Sequence, residues 1–205
     1  MTTAEPGRRP DGQRNPENRD RILLAGLAEF AAVGYEGASI SAIAARSGLN
    51  KQLIYHYYGS KQGLYDAVLR MMLEQTLPGV SAGMAGVLSS ALDFEHAGEW
   101  VRLLGWEGLS YDGGAITFER ERREKFGLIR ADLERLQREG RLDPRVDPRF
   151  ATLLVSLAII APPILPQLTR LITGEDGDSP DVRRHMVSLL AVLLGVKPPA
   201  GGDPP

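Results

Sequence analysis

The run SISAIAARSGLNKQLIYHYYGSKQGL, residues 39–64, decides how this chain is read. Ser39 carries the short hydroxyl side chain that caps a helix N-terminus, and it opens a helix over residues 40–47 that turns Ile43 and Ala44 inward. Gly48 and Leu49 make a tight turn, and Asn50 caps a second helix over 51–57. Small residues at Ala42, Ala44 and Ala45 let backbones approach closely, so Ile40, Ile43, Leu49 and Leu53 can form a wedge with Leu27, Phe30 and Ala31. That wedge leaves one face of residues 50–56 projecting. A rigid projecting helix with polar and aromatic side chains is what a DNA major groove admits. The same spacing also fits a helical hairpin inside an ordinary all-α domain, and spacing alone leaves both readings open.

On the N-terminal side, Ile22, Leu23, Leu27, Phe30 and Ala31 recur on a helical period over residues 18–33, and Gly34 stands where a helix ends. On the C-terminal side, Ser60 caps a helix whose apolar seam is Leu64, Ala67, Val68 and Met71, and which is expected to stop before Pro78. Further helices are expected at 81–96, at 98–110 and at 118–139, the last with Phe126, Ile129, Leu133 and Leu136 on its apolar face. One at 148–171 is interrupted by Pro162 and Pro163, and a final one covers 181–196. No strand pattern and no internal repeat is present. The expected fold class is all-α with about nine helices: a three-helix helix-turn-helix module within 17–75 and a larger helical domain over 76–197. Polar, Pro/Gly-rich tails at 1–16 and 198–205 are expected to be disordered.

Composition removes several function classes. The chain has no cysteine, which excludes disulfides, thiolate metal sites and cysteine nucleophiles. Its histidines, His56, His96 and His185, are far apart, so no metal cluster is expected. No nucleophile elbow, Gly-rich phosphate loop or metal-spaced motif occurs, and neither catalysis nor a cofactor is expected. The N-terminus lacks the apolar core of a signal peptide, and Phe150 to Leu165 falls short of a bilayer span. The expectation is a soluble, cytoplasmic protein with no membrane partner. Net charge is −2, yet residues 39–70 hold Arg46, Lys51, Lys61 and Arg70 against Asp66 alone, a local excess of +3. A patch that modest needs backbone amides and hydroxyls to share in any phosphate contact.

Residues 22–71 resemble the DNA-binding domain of the TetR family of transcriptional regulators. The resemblance is carried by Ser39-Ile40, Ile43-Ala44, Gly48-Leu49-Asn50, Leu53, Tyr55, Tyr57-Tyr58, Lys61 and Leu64. Three departures are mild. Ser39 stands where threonine is commoner, Tyr58 replaces the usual phenylalanine and adds a hydroxyl that needs a partner, and Gln62 stands where an acid is common. The resemblance implies a DNA-binding site of Ser39, Asn50, Lys51, Gln52, Tyr55, His56 and Lys61. Ser39 and Lys61 would take phosphate, Asn50, Lys51 and Gln52 would approach base edges, and Tyr55 and His56 would face the DNA. His56 can equally be a solvent-facing histidine, and Arg46 either a phosphate contact or a solvated cation. Arg14, Arg19 and Arg21 are candidates for flanking phosphates or a minor groove.

For the C-terminal body the resemblance implies a double-stranded DNA operator, a homodimer and a small-molecule effector. The last two helices carry broad apolar surfaces, Leu153, Leu154, Leu157, Ile159 and Ile160 on one and Met186, Leu189, Leu190, Val192, Leu193 and Leu194 on the other, which suit an interface with a second copy. Trp100, Trp106, Tyr111 and Phe126 are candidates for the lining of an effector pocket, and the effector is expected to be apolar or amphipathic. The charged run 120–125 reads as a solvated face, and Glu107 as either a solvent-facing or a pocket residue. The helix opened by Ser60 would couple pocket to DNA. The expected function is a repressor released from a palindromic operator. An activator or a ligand-independent regulator has the same sequence signature.

Overall fold

The computed structural model describes residues 16–93 and 96–197. The two expected tails, apart from Pro16, lie outside the described residues, as does Arg14. Ten helices and no strand occur among the described residues: α1 Pro16–Gly37, α2 Ile40–Ser47, α3 Lys51–Tyr58, α4 Lys61–Ser81, α5 Gly83–Asp93, α6 Ala97–Leu109, α7 Glu119–Arg138, α8 Pro148–Ile164, α9 Pro166–Thr173 and α10 Pro180–Leu193. The chain divides into two compact units, one ending at Val68 and one beginning at Leu69, so the division falls within α4.

In the first unit, Ile22, Leu27 and Phe30 of α1, Ile43 of α2, Ile54 of α3 and Leu64 of α4 are fully buried. Each contributes about 2 kcal/mol of apolar burial. The innermost residue of α3 is Ile54, whereas Leu53, expected in the wedge, is only half-buried. Gly34, at φ 72°, kinks α1 ahead of its last turn. Beyond the kink Tyr35 joins Phe30 and Tyr65 in a ring cluster, with Phe30 and Tyr65 edge to face at 5.1 Å. Gly63 is required by packing: a Cβ there would lie 2.1 Å from the Tyr58 carbonyl oxygen, so only glycine lets α4 begin so close to the end of α3.

Two expectations about α4 are corrected. Its buried seam is Leu64, Tyr65, Val68, Leu69 and Met72; Ala67 and Met71 are half-buried. The helix also continues through Pro78 to Ser81. A proline at 78 leaves the carbonyl of Glu74 without a helical partner, which is tolerable because Glu74 is exposed and water can reach it.

The second unit is built around one apolar cluster drawn from α4, α5, α7, α8 and α10, with Met84, Leu88, Leu133, Leu136, Val155 and Ala191 among its most buried members. Asp132 of α7 caps α5, its carboxylate accepting the Met84 N–H at 2.7 Å. The helix expected over 148–171 breaks later than Pro162-Pro163, and this break makes ten helices out of nine. Both prolines lie inside α8, and the chain turns by 94° at Leu165. The residue before a proline is driven out of the α region, and Leu165, ahead of Pro166, sits at φ −116°, ψ 58°. Among the described residues no single helix is long and apolar enough to cross a membrane.

Candidate functional site

The first unit presents α3 as a short projecting helix held at both ends. Ser39 accepts the Ala42 N–H at 3.1 Å and caps α2, and Asn50 accepts the Leu53 N–H at 2.8 Å and caps α3. Gly48, at φ 67°, makes the turn between them in the left-handed region, where a side chain would be strained. Arg21 of α1 donates to the Ser47 carbonyl at 2.6 Å and ties down the end of α2. This is an internal role for one of the arginines considered for flanking phosphates.

Ile54 anchors α3 from below, and Lys51, Gln52, Tyr55 and His56 are all exposed. Lys51, Gln52 and Tyr55 are spaced i, i+1, i+4, which puts them on neighbouring sides of one helix, while His56 stacks edgewise near Tyr57 at 5.6 Å. Ser39 and Asn50 are exposed at the N-termini of α2 and α3. Six of the seven expected interface residues thus lie on the exposed side of this motif.

Lys61 is the exception. It is half-buried, its ammonium donates to the Ala38 carbonyl at 3.0 Å and sits 4.4 Å over the Tyr35 ring. It fastens the start of α4 to the segment joining α1 and α2. Arg46 is also engaged, 3.4 Å from the Glu29 carboxylate, so it is neither simply solvated nor already dedicated to phosphate. The extra hydroxyl of Tyr58 finds its partner in the Arg19 carbonyl at 2.9 Å, and burial pushes its pKa up to about 12.

Comparison with known proteins matches residues 22–68 to the family described as bacterial regulatory proteins, tetR family. The HTH-type transcriptional repressor SCO4008 of Streptomyces coelicolor is 35% identical over 184 residues, covering 87% of this chain and 95% of that protein. The chain belongs to the TetR family. It is a DNA-binding transcriptional regulator. The HTH-type transcriptional activator FasR of Mycolicibacterium smegmatis is 37% identical over 71 residues, 34% of this chain and 32% of that one. In fold, a transcriptional regulator of Streptomyces coelicolor, SCO4942, superposes with a TM-score of 0.69 at 22% identity, over 88% of this chain and 99% of the other.

The second unit of this TetR-family protein contains a cavity of about 190 Å³ between α4, α5, α6, α7, α8 and α10. Trp100 of α6 and Phe126 of α7 line it, as expected from the sequence, together with Leu104, Ile129, Ile159 and Met186. Trp106 and Tyr111 do not line it. Trp106 lies six residues beyond Trp100, about 240° around α6, and is exposed; Tyr111 follows the end of that helix and is exposed as well.

The charged run of α7 departs furthest from expectation. Arg123 pairs with Glu119 on the outside, as a solvated face would. Arg122 and Lys125, however, line the cavity with Phe126 and Ile129, at i, i+3, i+4 and i+7 on one helix face. Arg122 bonds the Glu107 carboxylate through Nη1 at 2.6 Å, which settles Glu107 as a half-buried ion-pair partner. Lys125 donates to Thr76 Oγ1 at 2.6 Å. Burial, and secondarily the neighbouring Arg122 charge, bring the Lys125 pKa down to about 8. The sequence signal that could have found both residues is their register with Phe126 and Ile129, masked by Arg123 and Glu124 between them.

Proposed function

We propose that this protein is a repressor that binds a palindromic operator as a homodimer and is released when a small molecule occupies the cavity of its second unit. The observation that carries the reading is the exposed Lys51-Gln52-Tyr55 face on a helix anchored by Ile54, in a chain that also encloses an apolar cavity. Lys51 would donate to guanine O6 and N7, and Gln52 would pair with adenine N6 and N7. Ser39 uses its oxygen to cap α2 and keeps its hydroxyl proton for a phosphate. Tyr55, His56 and Asn50 border the same face. The Arg46–Glu29 pair is half-exposed on the arginine side, so it is worth about 1 kcal/mol at most and can open toward a phosphate.

The dimer reading rests on exposed apolar side chains. On α8, Phe150, Leu153, Leu154 and Leu157 follow i, i+3, i+4, i+7, and on α10 Leu189, Val192 and Leu193 are exposed likewise. A two-fold dimer reads two half-sites, and its symmetry requires the operator to be palindromic. Release follows from linkage: for a hundredfold loss of operator affinity the effector must bind the released state about 2.7 kcal/mol more tightly. The connecting element is α4, which begins among the residues of the first unit and lines the cavity at Leu73 and Thr76.

Footprinting with the purified chain tests the reading. A symmetric protected region, lost on adding a ligand found by thermal shift, is the expected outcome. Protection of an unsymmetric site by a monomer contradicts the dimer, and a bound ligand that leaves operator affinity unchanged contradicts the release. Lys61 gives one ammonium N–H to Ala38 and keeps two for a phosphate, so Lys61→Ala is expected to weaken binding to every sequence and lower the salt slope by about one unit. Because Lys61 also holds Ala38, the variant's melting temperature is measured alongside.

A further inference from the structure

The cavity of the second unit is apolar over most of its wall, yet the charged side chains on that wall are all cationic: Arg122, Lys125 and Arg183. Burying cations in an apolar cavity is costly unless each is hydrogen-bonded and balanced by opposite charge. Only part of that demand is met. Arg122 is 13% exposed; its Nη1 is taken by Glu107, whereas its Nε and Nη2 are buried with no hydrogen-bond partner. Lys125 donates to a neutral hydroxyl, Thr76 Oγ1. One carboxylate, Glu107, therefore stands against two neighbouring cations on α7.

The pattern of unmet donors is specific. A guanidinium presents its N–H groups in a planar fork, and Nε–H with Nη2–H forms one edge that a carboxylate takes with both oxygens. Burial of this edge without a partner is a cost that a ligand can remove when the Arg122 side chain turns the edge into the cavity, since neither nitrogen is open to it in the empty fold. Three residues along the same helix face, the Lys125 ammonium supplies a second positive charge, and Phe126 and Ile129 continue the face as apolar wall.

We infer that the cavity takes an organic carboxylate with an apolar body, its headgroup bound by Arg122 and Lys125 and its body lying against Trp100, Phe126, Ile129 and Ile159. The inference rests on the proposed effector role of this cavity and narrows the effector from apolar or amphipathic to amphipathic and acidic. A cationic amphiphile is disfavoured by the same wall, since it would add a third like charge beside Arg122 and Lys125. A neutral apolar compound would fill the space but leave the Arg122 edge unpaired.

Calorimetric titration of the full chain with octanoate, decanoate and dodecanoate, and with the alcohols and primary amines of the same lengths below their micelle concentrations, tests this. At least one acid is expected to bind about tenfold or more tightly than its alcohol, and the amines more weakly still. Arg122→Lys keeps a charge for Glu107 but lacks the Nε/Nη2 edge. It is expected to lose most of the preference for acid over alcohol while the alcohol affinity changes little. Equal binding of acid and alcohol, a preference for the amines, binding of none of the nine compounds, or an unchanged preference in Arg122→Lys would each overturn the inference. Should that variant fold poorly, the comparison of headgroups on the unaltered chain still decides. Operator binding is measured in parallel on the same samples. An acid that binds through Arg122 without releasing DNA sustains this inference and contradicts the release mechanism, whereas intact DNA binding with no acid bound overturns this inference alone.

Discussion

The two units of this protein dispose their polar groups in opposite ways. The first displays its polar groups outward from a rigid support, and Lys51, Gln52 and Tyr55 are exposed because Ile54 beneath them is fully buried. The second encloses its polar groups, so that Arg122 has two buried nitrogens without partners. Outward display costs little until DNA arrives, since water satisfies every group. Enclosure holds an unmet demand in the folded state, and on the proposed reading that demand selects the ligand. The difference teaches where to look for specificity: on the surface, in the identity of the exposed side chains; in a cavity, in what the wall lacks.

The contrast predicts unequal tolerance to substitution. The largest effect is expected in the first unit at a residue that touches no DNA. Gly63→Ala puts a Cβ against the Tyr58 carbonyl, which forces α4 away from α3, at about 3 kcal/mol of stability with loss of DNA binding. Thermal unfolding and a binding titration measure both, and an unchanged melting temperature would mean that the close approach is not needed. Next come the display residues. Lys51→Ala or Gln52→Ala should leave stability unchanged and relax discrimination at one base position per half-site by about 1–3 kcal/mol. Equal losses on specific and non-specific DNA would assign these side chains to positioning.

In the second unit the expected effects are smaller and depend on pH. The folded state releases the Lys125 proton near pH 8, while an unfolded chain holds it to about 10.5, so stability should rise with pH across that interval. Lys125→Met should raise the melting temperature at pH 7 by about 2–4 °C and abolish the rise above pH 8. A variant that melts lower at pH 7 and keeps the rise would show that the ammonium is not destabilised by its burial. The smallest effect is expected at Tyr58. Tyr58→Phe loses the bond to the Arg19 carbonyl at a cost of about 1 kcal/mol or less. The raised pKa means that Tyr58 supports folding fully below pH 10 and loses that contribution as pH climbs toward 12. In the phenylalanine variant this alkaline loss should be absent.

The same contrast explains what could be read from the sequence. The interface of the first unit is local: cap, turn and display residues follow one another within residues 39–64, so residue spacing alone carries the geometry. Even there the spacing does not tell which residue anchors α3, because Leu53 and Ile54 are adjacent and both apolar, and the fold buries Ile54. The cavity instead gathers residues from Leu73 to Val187 on six helices. Trp100 and Phe126 were legible as apolar members of helix faces. Trp106 was misassigned because a large aromatic residue looks the same on either side of α6. Arg122 and Lys125 were hidden in a charged run whose other members do face solvent. The break at Leu165 was visible in Pro166 but obscured by the more conspicuous Pro162-Pro163.

The central claim is that the exposed face of α3 reads DNA sequence. Selection from a random duplex pool with the full chain at 150 mM salt, followed by anisotropy titration of the winning sequence against a scrambled duplex, tests it most directly. A two-fold symmetric sequence should emerge, bound about a thousandfold or more tightly than the scramble, with Gln52→Ala and Lys51→Ala relaxing the choice of base within each half-site. Enrichment of no sequence, or a preference unchanged in both variants, would contradict it.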